Sequence, residues 1–450
     1  MNQHVGAIII GSGQGGVPLA TYLADQGKKV VLFERGSWGG SCINYGCTPS
    51  KMLLASAHAA SAARRAGQLG VRADVTVDFP AVMARIRETT ASWSAGVRDR
   101  LDKAGVQLVE AKAAFTGERR VAGGGETFTA PLVVIDTGKS PRQLPLPGLE
   151  ALPYLTYKSI WQLETLPPRT LIIGGGYVGV ELGQALACLG SDVHIIDLEE
   201  RLLSREDAEV SEVLVERLRA DGVTFHFEAQ ADEVSHDGER FRLSLSTGET
   251  VAGEALLIAA GRTPNTASLH LEAAGIELQE DGHIRVDEHF RTTAEGVYAI
   301  GDVTGQPAFT HVSWEDYRRL RAILAGKNRT RRDRVLAYAV FTEPQVGRAG
   351  LTLSQAEAQG YAAREATMDL AQVSRATEVG RANGFYRMVI DDATGRILGA
   401  TLVAPTAAEL IHIFVAHIEA GATWQVLDRS VHIHPTFAEG LPSLARKFAD

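Results

Sequence analysis

Residues 6–35 read GAIIIGSGQGGVPLATYLADQGKKVVLFER. The unbroken apolar run from Ala7 to Ile10 suits a strand of a parallel sheet buried on both faces. Gly11, Gly13 and Gly16 follow it directly in G-x-G-x-x-G spacing. The first glycine permits a tight turn, the second lets the backbone approach a pyrophosphate, and the third lets a helix pack on the strand. Leu19, Ala20 and Leu23 recur at helical spacing, and Pro18 is tolerated because it falls in the first turn. The next apolar run ends on Glu34, eighteen residues past Gly16, where a carboxylate accepts hydrogen bonds from ribose hydroxyls.

The same order returns at 170–199, TLIIGGGYVGVELGQALACLGSDVHIIDLE. Gly174, Gly176 and Gly179 repeat the turn, Val180, Leu182 and Leu186 the apolar face, and Asp197 the acid at the same spacing. One glycine motif is a common strand–helix turn. Two, each in context and each with its acid, predict two bound dinucleotides. A carboxylate at Asp197 repels a 2′-phosphate and Leu198 supplies no cation, so NADH is expected over NADPH, although Arg201 and Arg205 lie nearby.

The rest of the chain bounds the reading. Its 450 residues should carry roughly two to four domains. A net charge of −9 argues against nucleic acid as the main partner. The one basic run, KNRTRRDR at 327–334, reads as a solvated linker. The N-terminus has no basic region or cleavage site of a secretory signal, and no apolar run is long enough to span a membrane. Three cysteines cannot make a disulfide framework at this size, so a reducing compartment, the cytoplasm, is expected. PRQLPLPGLEALPYL at 141–155 reads as a crossing between domains. Beyond residues 326–336, RMVIDDATGRILGATLVAP predicts an antiparallel hairpin of alternating apolar and polar residues, and AAELIHIFVAHIEAG a helix. The outline is two α/β nucleotide-binding units followed by an α+β domain.

Two of the cysteines stand five positions apart in GGSCINYGCTPSKML, residues 39–53. The spacing lacks the companion C-x2-C or His set of a structural zinc site. Cys188 falls on the apolar face of the second nucleotide-binding helix and reads as core. Thr48 and Pro49 predict a helix start, with Thr48 as cap and Pro49 in the first helical position. A thiolate beside such an N-terminus is stabilised by the helix dipole. Position favours reactivity without proving it.

At these residues the chain resembles the class I pyridine nucleotide-disulfide oxidoreductases, the family of dihydrolipoamide dehydrogenase, glutathione reductase and mercuric reductase. TGKSP (137–141), GRTPN (261–265), GVYAIGDV (296–303), FTEPQVG (341–347) and HIHPTFAEG (432–440) match its other signatures in order. The resemblance implies two Rossmann-like domains, for FAD and NAD(P), and a C-terminal α+β dimerisation domain. Their spans would be 1–145 and 265–335 for FAD, 146–264 for NAD(P)H and 336–450 for dimerisation. FAD is implied on Gly11, Gly13, Gly16, Glu34, Gly40, Ser41, Lys51, Thr137, Gly138 and Asp302. NADH is implied on Gly174, Gly176, Gly179, Asp197 and Gly261; no metal is. Lys51 would sit by the flavin, paired with Glu181, which keeps the ammonium charged.

By the same resemblance, Cys42–Cys47 is a redox-active disulfide: Cys47 faces the flavin and Cys42 exchanges with a small disulfide or dithiol substrate. Exchange requires a base. His434 is implied for that role, oriented by Glu439 on a helix begun by Pro435 and Thr436, and acting on the cysteines of the other subunit of a homodimer. His432 is left out. Dihydrolipoamide dehydrogenase activity fits the His434–Glu439 pair and Asp197. FTHVSWEDYRR (309–319) instead resembles mercuric-reductase-like and reactive-chlorine-resistance flavoproteins, so reduction of a metal ion or quinone is the alternative, and a non-catalytic redox sensor a third. The C-terminal cysteine pair of typical mercuric reductases has no counterpart in EGLPSLARKFAD. Tyr45, between the cysteines, would line or narrow the approach to them. Asp136 stands where relatives carry alanine and, if buried, needs a partner.

Overall fold

A computed structural model describes residues 2–449, so Met1 and Asp450 lie outside it. The first glycine segment builds strand Ala7–Ile10, helix α1 (Gly16–Asp25) and strand Val30–Glu34. Ala7–Ile10 lies at the centre of a five-stranded parallel sheet. On one side it pairs with Val30–Glu34 and then Gln107–Glu110, on the other with Val133–Ile135 and then Val297–Ala299. Both faces are covered, which explains the lack of alternation: all four side chains of Ala7–Ile10 are buried. Helices α2 (Gly40–Asn44), α3 (Cys47–Arg65) and α4 (Phe79–Lys103) follow.

The chain leaves this unit through Lys139–Pro141 and returns through Arg262–Pro264, and the two passages pair antiparallel. Between them stands the second five-stranded parallel sheet, ordered Leu155–Thr156, Ala255–Ile258, Arg169–Ile173, Asp192–Ile196 and Val223–His226. Helices α5 (Tyr177–Leu189) and α6 (Ala208–Ala220) belong to it. Leu19, Ala20 and Leu23 of α1, and Val180, Leu182 and Leu186 of α5, are all buried, as their spacing requires. Cys188 is core, and burial pushes its thiol up to about 12.

Helix α7 (Thr310–Leu324) closes the first unit, and a five-stranded antiparallel sheet follows. Strand Phe385–Asp391 pairs with Ile397–Ala404 as a hairpin, but every residue of the first is buried, because both faces of the sheet are covered. The expected alternation is therefore absent. Arg387 of this sheet reaches Asp207 and Glu209 at the start of α6, which fixes the sheet against the second unit.

The basic run is an exposed linker over most of its length, as expected, with Lys327, Asn328, Arg329, Arg332 and Asp333 at the surface, but Arg334 is drawn inward. Arg334 donates to Asp316 of α7, to Gln306 Oε1 and to the Val312 carbonyl, while Asp333 pairs with Arg319 and Arg329. Asp316 is fully buried and also accepts the Gly301 N–H at 2.9 Å and Gln306 Nε2 at 2.8 Å. Charge composition hid this, because the compensating acids lie on another element.

The third glycine of each turn is a packing position. A Cβ on Gly179 would drive into the Gly174 carbonyl, whereas one on Gly176 meets nothing within 4 Å. Gly179→Ala should therefore cost roughly 1–3 kcal/mol and lower Tm. Gly176→Ala should leave Tm near wild type and instead weaken pyridine-nucleotide binding. Equal thermal midpoints for the two variants would contradict the packing assignment.

Candidate active site

The cysteine segment folds as two short steps. Helix α2 ends at Asn44, and the Tyr45 and Gly46 N–H groups bond back to the Ser41 carbonyl, at 2.9 and 2.6 Å. The Ser50 N–H already bonds the Gly46 carbonyl, so α3 begins at Cys47, with Gly46 as its cap. The expected cap Thr48 and first-position Pro49 thus lie inside the first turn. The backbone hydrogen bond from Gly46 turns the chain before a threonine cap is needed. The consequence favours reactivity, since Cys47 itself occupies the first helical position, where the dipole acts.

Cys42 and Cys47 are free thiols, each shifting the titration of the other. Cys47 Sγ also lies 3.0 Å from Thr310 Oγ1, the first residue of α7. The hydrogen bond from Cys42, then that from Thr310 and the charge of Lys51, lower Cys47 to about 6 against the opposing effect of burial. Cys42 moves the opposite way, since it donates that shared hydrogen bond and is desolvated. The setting thus favours the thiolate at Cys47 over one at Cys42.

Lys51, one turn beyond Cys47, donates to Glu181 Oε2 of α5 at 2.6 Å, and Glu181 Oε1 accepts the Phe341 N–H at 2.8 Å. The ammonium also stands 4.4 Å from the Phe341 ring centroid. These groups open onto a cavity of about 1130 Å3 that runs to the first glycine turn. Gly11, Gly13, Glu34, Gly40, Ser41, Thr137, Gly138 and Asp302 line it with both cysteines; Gly16 lies behind, packed on Gly11. Gly11, at φ +105°, has no room for a side chain against the Asp136 carbonyl. The Gly13 and Gln14 N–H groups carry no hydrogen bond among the described residues and face this space, a donor pair fit for a phosphate. Glu34 Oε2 accepts from Ser12 N at 3.0 Å and Ser12 Oγ at 2.6 Å, and Oε1 from Gly36 N at 2.7 Å. The acid thus braces the turn as well as facing the cavity.

The second turn is built alike. Asp197 takes the Gly175 N–H and, at 3.1 Å, the Glu199 N–H, with Gly174 at φ +114° and Gly261 at φ +104° beside it. Arg201 pairs with Glu200, and Leu198 is two-thirds exposed.

His434 Nδ1 and Glu439 Oε2 are 2.7 Å apart. Glu439 ends a 3₁₀ turn, Phe437–Glu439, that leads into helix Gly440–Arg446, and His434 precedes that turn; no helix is begun by Pro435 and Thr436. The Thr436 hydroxyl donates back to the Ile433 carbonyl at 2.6 Å, which holds the chain out of helix there. His434 is 72 % exposed at its side chain and does not line the cysteine cavity of its own chain. Val431 and Ile433 beside it are almost fully exposed. Tyr45 lines the cavity, its hydroxyl 3.0 Å from Ser37 Oγ.

Sequence reasoning missed Thr310 and a stack beside it. Phe309 lies 5.0 Å from Tyr338, 5.5 Å from His311 and 5.7 Å from Tyr177, centroid to centroid. Arg262 ties Tyr177 to the Ala308 carbonyl and to Asp302. The signal was the aromatic and hydroxyl content of FTH at a helix start, but nothing local relates it to a cysteine 263 positions away.

The family model for the pyridine nucleotide-disulphide oxidoreductases matches residues 6–316, and that for their dimerisation domain matches 336–445. The chain belongs to this family. Dihydrolipoyl dehydrogenase 3 of Haloarcula marismortui is 32 % identical across 98 % of this chain and 95 % of its own. Mercuric reductase of Streptomyces lividans is 35 % identical across 98 % and 95 %. Among solved structures, the Cu(II) complex of the HOCl-induced flavoprotein disulfide reductase RclA from Escherichia coli superposes with a TM-score of 0.90, at 31 % identity, over 99 % of this chain and all of that one. Membership makes the protein an oxidoreductase of FAD and a pyridine nucleotide acting on a sulfur group. The dimerisation domain makes it a homodimer. No described helix is long and apolar enough to cross a membrane.

Because the largest influence on Cys47 is the hydrogen bond from Cys42, Cys42→Ala should raise the Cys47 pKa above about 6. Thr310→Val should raise it less. The pH dependence of Cys47 alkylation in the reduced protein measures both. An unchanged profile in Cys42→Ala would contradict the division of the pair.

Proposed function

We infer that the protein passes electrons between NADH and a small disulfide or dithiol through Cys42 and Cys47, in the manner of a dihydrolipoamide dehydrogenase. The supporting observation is the divided thiol pair, at a helix N-terminus beside Lys51–Glu181, opening onto the cavity of the first glycine turn. FAD fits that turn, where the Gly13 and Gln14 amides meet its diphosphate, Glu34 a ribose, and Asp302, Thr137, Gly138, Gly40 and Ser41 the remainder. Gly174, Gly176, Gly179, Asp197 and Gly261 hold NADH. When bound, FAD relays an electron pair between the nicotinamide and the dithiol.

The chain's own residues perform the exchange. Cys42 loses its proton to His434 of the partner subunit and attacks a substrate sulfur. One substrate thiolate leaves and takes that proton, and a mixed disulfide remains on Cys42. The Cys47 thiolate then attacks the Cys42 sulfur, which expels the second substrate thiolate and closes the disulfide. Glu439 holds the imidazole in orientation through Nδ1, leaving Nε2 to carry the proton. Exposed Val431 and Ile433 suit a segment that docks against the partner subunit.

A second reading, transfer to a metal ion or quinone, draws on the likeness to a flavoprotein solved as a Cu(II) complex. Among the described residues no group of three or more His, Cys, Asp or Glu could hold a metal, so a metal ion here would be a substrate at the thiols. NADH oxidation with lipoamide, glutathione disulfide, other small disulfides, a quinone and Cu(II) separates the readings. Turnover with a disulfide supports the first, and turnover with Cu(II) or quinone alone replaces it.

Subunit mixing tests the shared site. Cys42→Ser and His434→Ala homodimers should each lose disulfide turnover. Their heterodimer carries one intact site and should recover about half of wild-type activity on the two-site argument. No recovery in an isolated heterodimer would place His434 in its own subunit's chemistry.

A further inference from the structure

Asp136 ends strand Val133–Ile135, and its carboxyl is carried inward, 7 % exposed. Its partner is the first helix. Oδ2 accepts the Gly16 N–H at 2.7 Å and the Gly15 N–H at 3.2 Å, at the N-terminus of α1. The carboxyl also supports the turn from beneath: a Cβ on Gly13 would stand 2.6 Å from Oδ2, and one on Gly301 2.8 Å from Oδ1. Oδ1 receives no hydrogen bond among the described residues, and Asp136 lines the cavity beside the free Gly13 and Gln14 amides.

An anion seated on those amides shares one helix end with this carboxyl, and like charges there repel. The other charged groups facing Asp136 do not relieve it. Asp302 and Asp316 are acids, Arg262 and Arg334 are committed to them, and Ser313 is uncharged. Burial, with the charges of Asp302 and Asp316, pushes Asp136 well above the carboxylate range, against the pull of the two glycine N–H groups.

We propose that Asp136 is a proton-bearing positioning residue for the dinucleotide diphosphate: the carboxyl is neutral when the diphosphate is seated, and seating takes up one proton there. This rests on FAD lying at the first glycine turn. Oδ2 keeps its two N–H bonds in the neutral form, and Oδ1 carries the proton. The sign follows from linkage. Affinity is constant below the pKa of the empty site and weakens by up to tenfold per pH unit above it. It levels again above the higher pKa of the filled site.

The test compares FAD release from diluted wild-type and Asp136→Asn holoenzyme, read by the fluorescence of freed FAD across neutral to alkaline pH. Asparagine keeps the acceptor and removes the titration. The wild type should release more FAD as pH rises, Asp136→Asn should show no such slope, and the two should diverge most at the alkaline end. In lightly buffered solution with a pH indicator, at the alkaline pH where FAD release rises, the wild type should shed up to about one proton per FAD freed, by the linkage above. That second measurement needs no variant. Flavin in both proteins with superimposable pH profiles, or no proton shed by the wild type, overturns this proposal alone. Absence of flavin from both overturns the cofactor reading and the proposal with it.

Discussion

One carboxylate joins the three parts of the molecule. Glu181 rises from α5 of the second nucleotide-binding unit, takes the Lys51 ammonium from α3 of the first, and takes the Phe341 N–H from the C-terminal domain. It is almost fully buried, so each of these donors is required to offset its desolvation. The pair can form only where α3 packs on α5, and that contact is apolar: Leu53, Leu54 and Ala57 against Val180, Leu182 and Ala185. Hydrophobic packing fixes the helices, the helices fix Lys51–Glu181, and the pair places a cation one turn beneath Cys47. Thr310 completes the setting from the start of a third helix.

The first glycine turn has a comparable foundation. Three acids, Asp136, Asp302 and Asp316, gather under it, and burial pushes each one up. Asp316 is neutralised by Arg334 from the basic run and Asp302 faces Arg262, whereas among the described residues Asp136 has only backbone N–H groups. The linker between domains is therefore also a counter-charge for the floor of the nucleotide site. The burial of the Arg334 side chain follows from that task.

What could be read from the residues alone was whatever local geometry determines. The glycine turns were legible because a positive φ at Gly11 and Gly174, and the contact of Gly179 with Gly174, exclude other residues. The apolar faces of α1 and α5 followed from spacing. Cys42, Cys47 and Lys51 fell into place because they lie within ten residues of one another. Partners distant in the chain did not. Thr310 meets Cys47 across 263 positions, and Asp136 meets Gly16 across 120. The start of α3 moved by two residues because a backbone hydrogen bond to Ser41, which carries no side-chain signature, set it. The hairpin's polar positions misled because Arg387 and Asp391 are buried, Arg387 satisfied by Asp207 and Glu209 of the second unit and Asp391 by Thr394 in the hairpin's own turn.

We infer that Cys42 and Cys47 form a bond that opens and closes as electrons pass. Alkylation under denaturing conditions, read by mass spectrometry before and after anaerobic NADH, addresses it directly, with Cys188 as the internal reference. A working disulfide leaves Cys188 labelled in both samples and Cys42 and Cys47 labelled only after NADH. Full labelling of both before NADH, unchanged by it, would contradict a working disulfide.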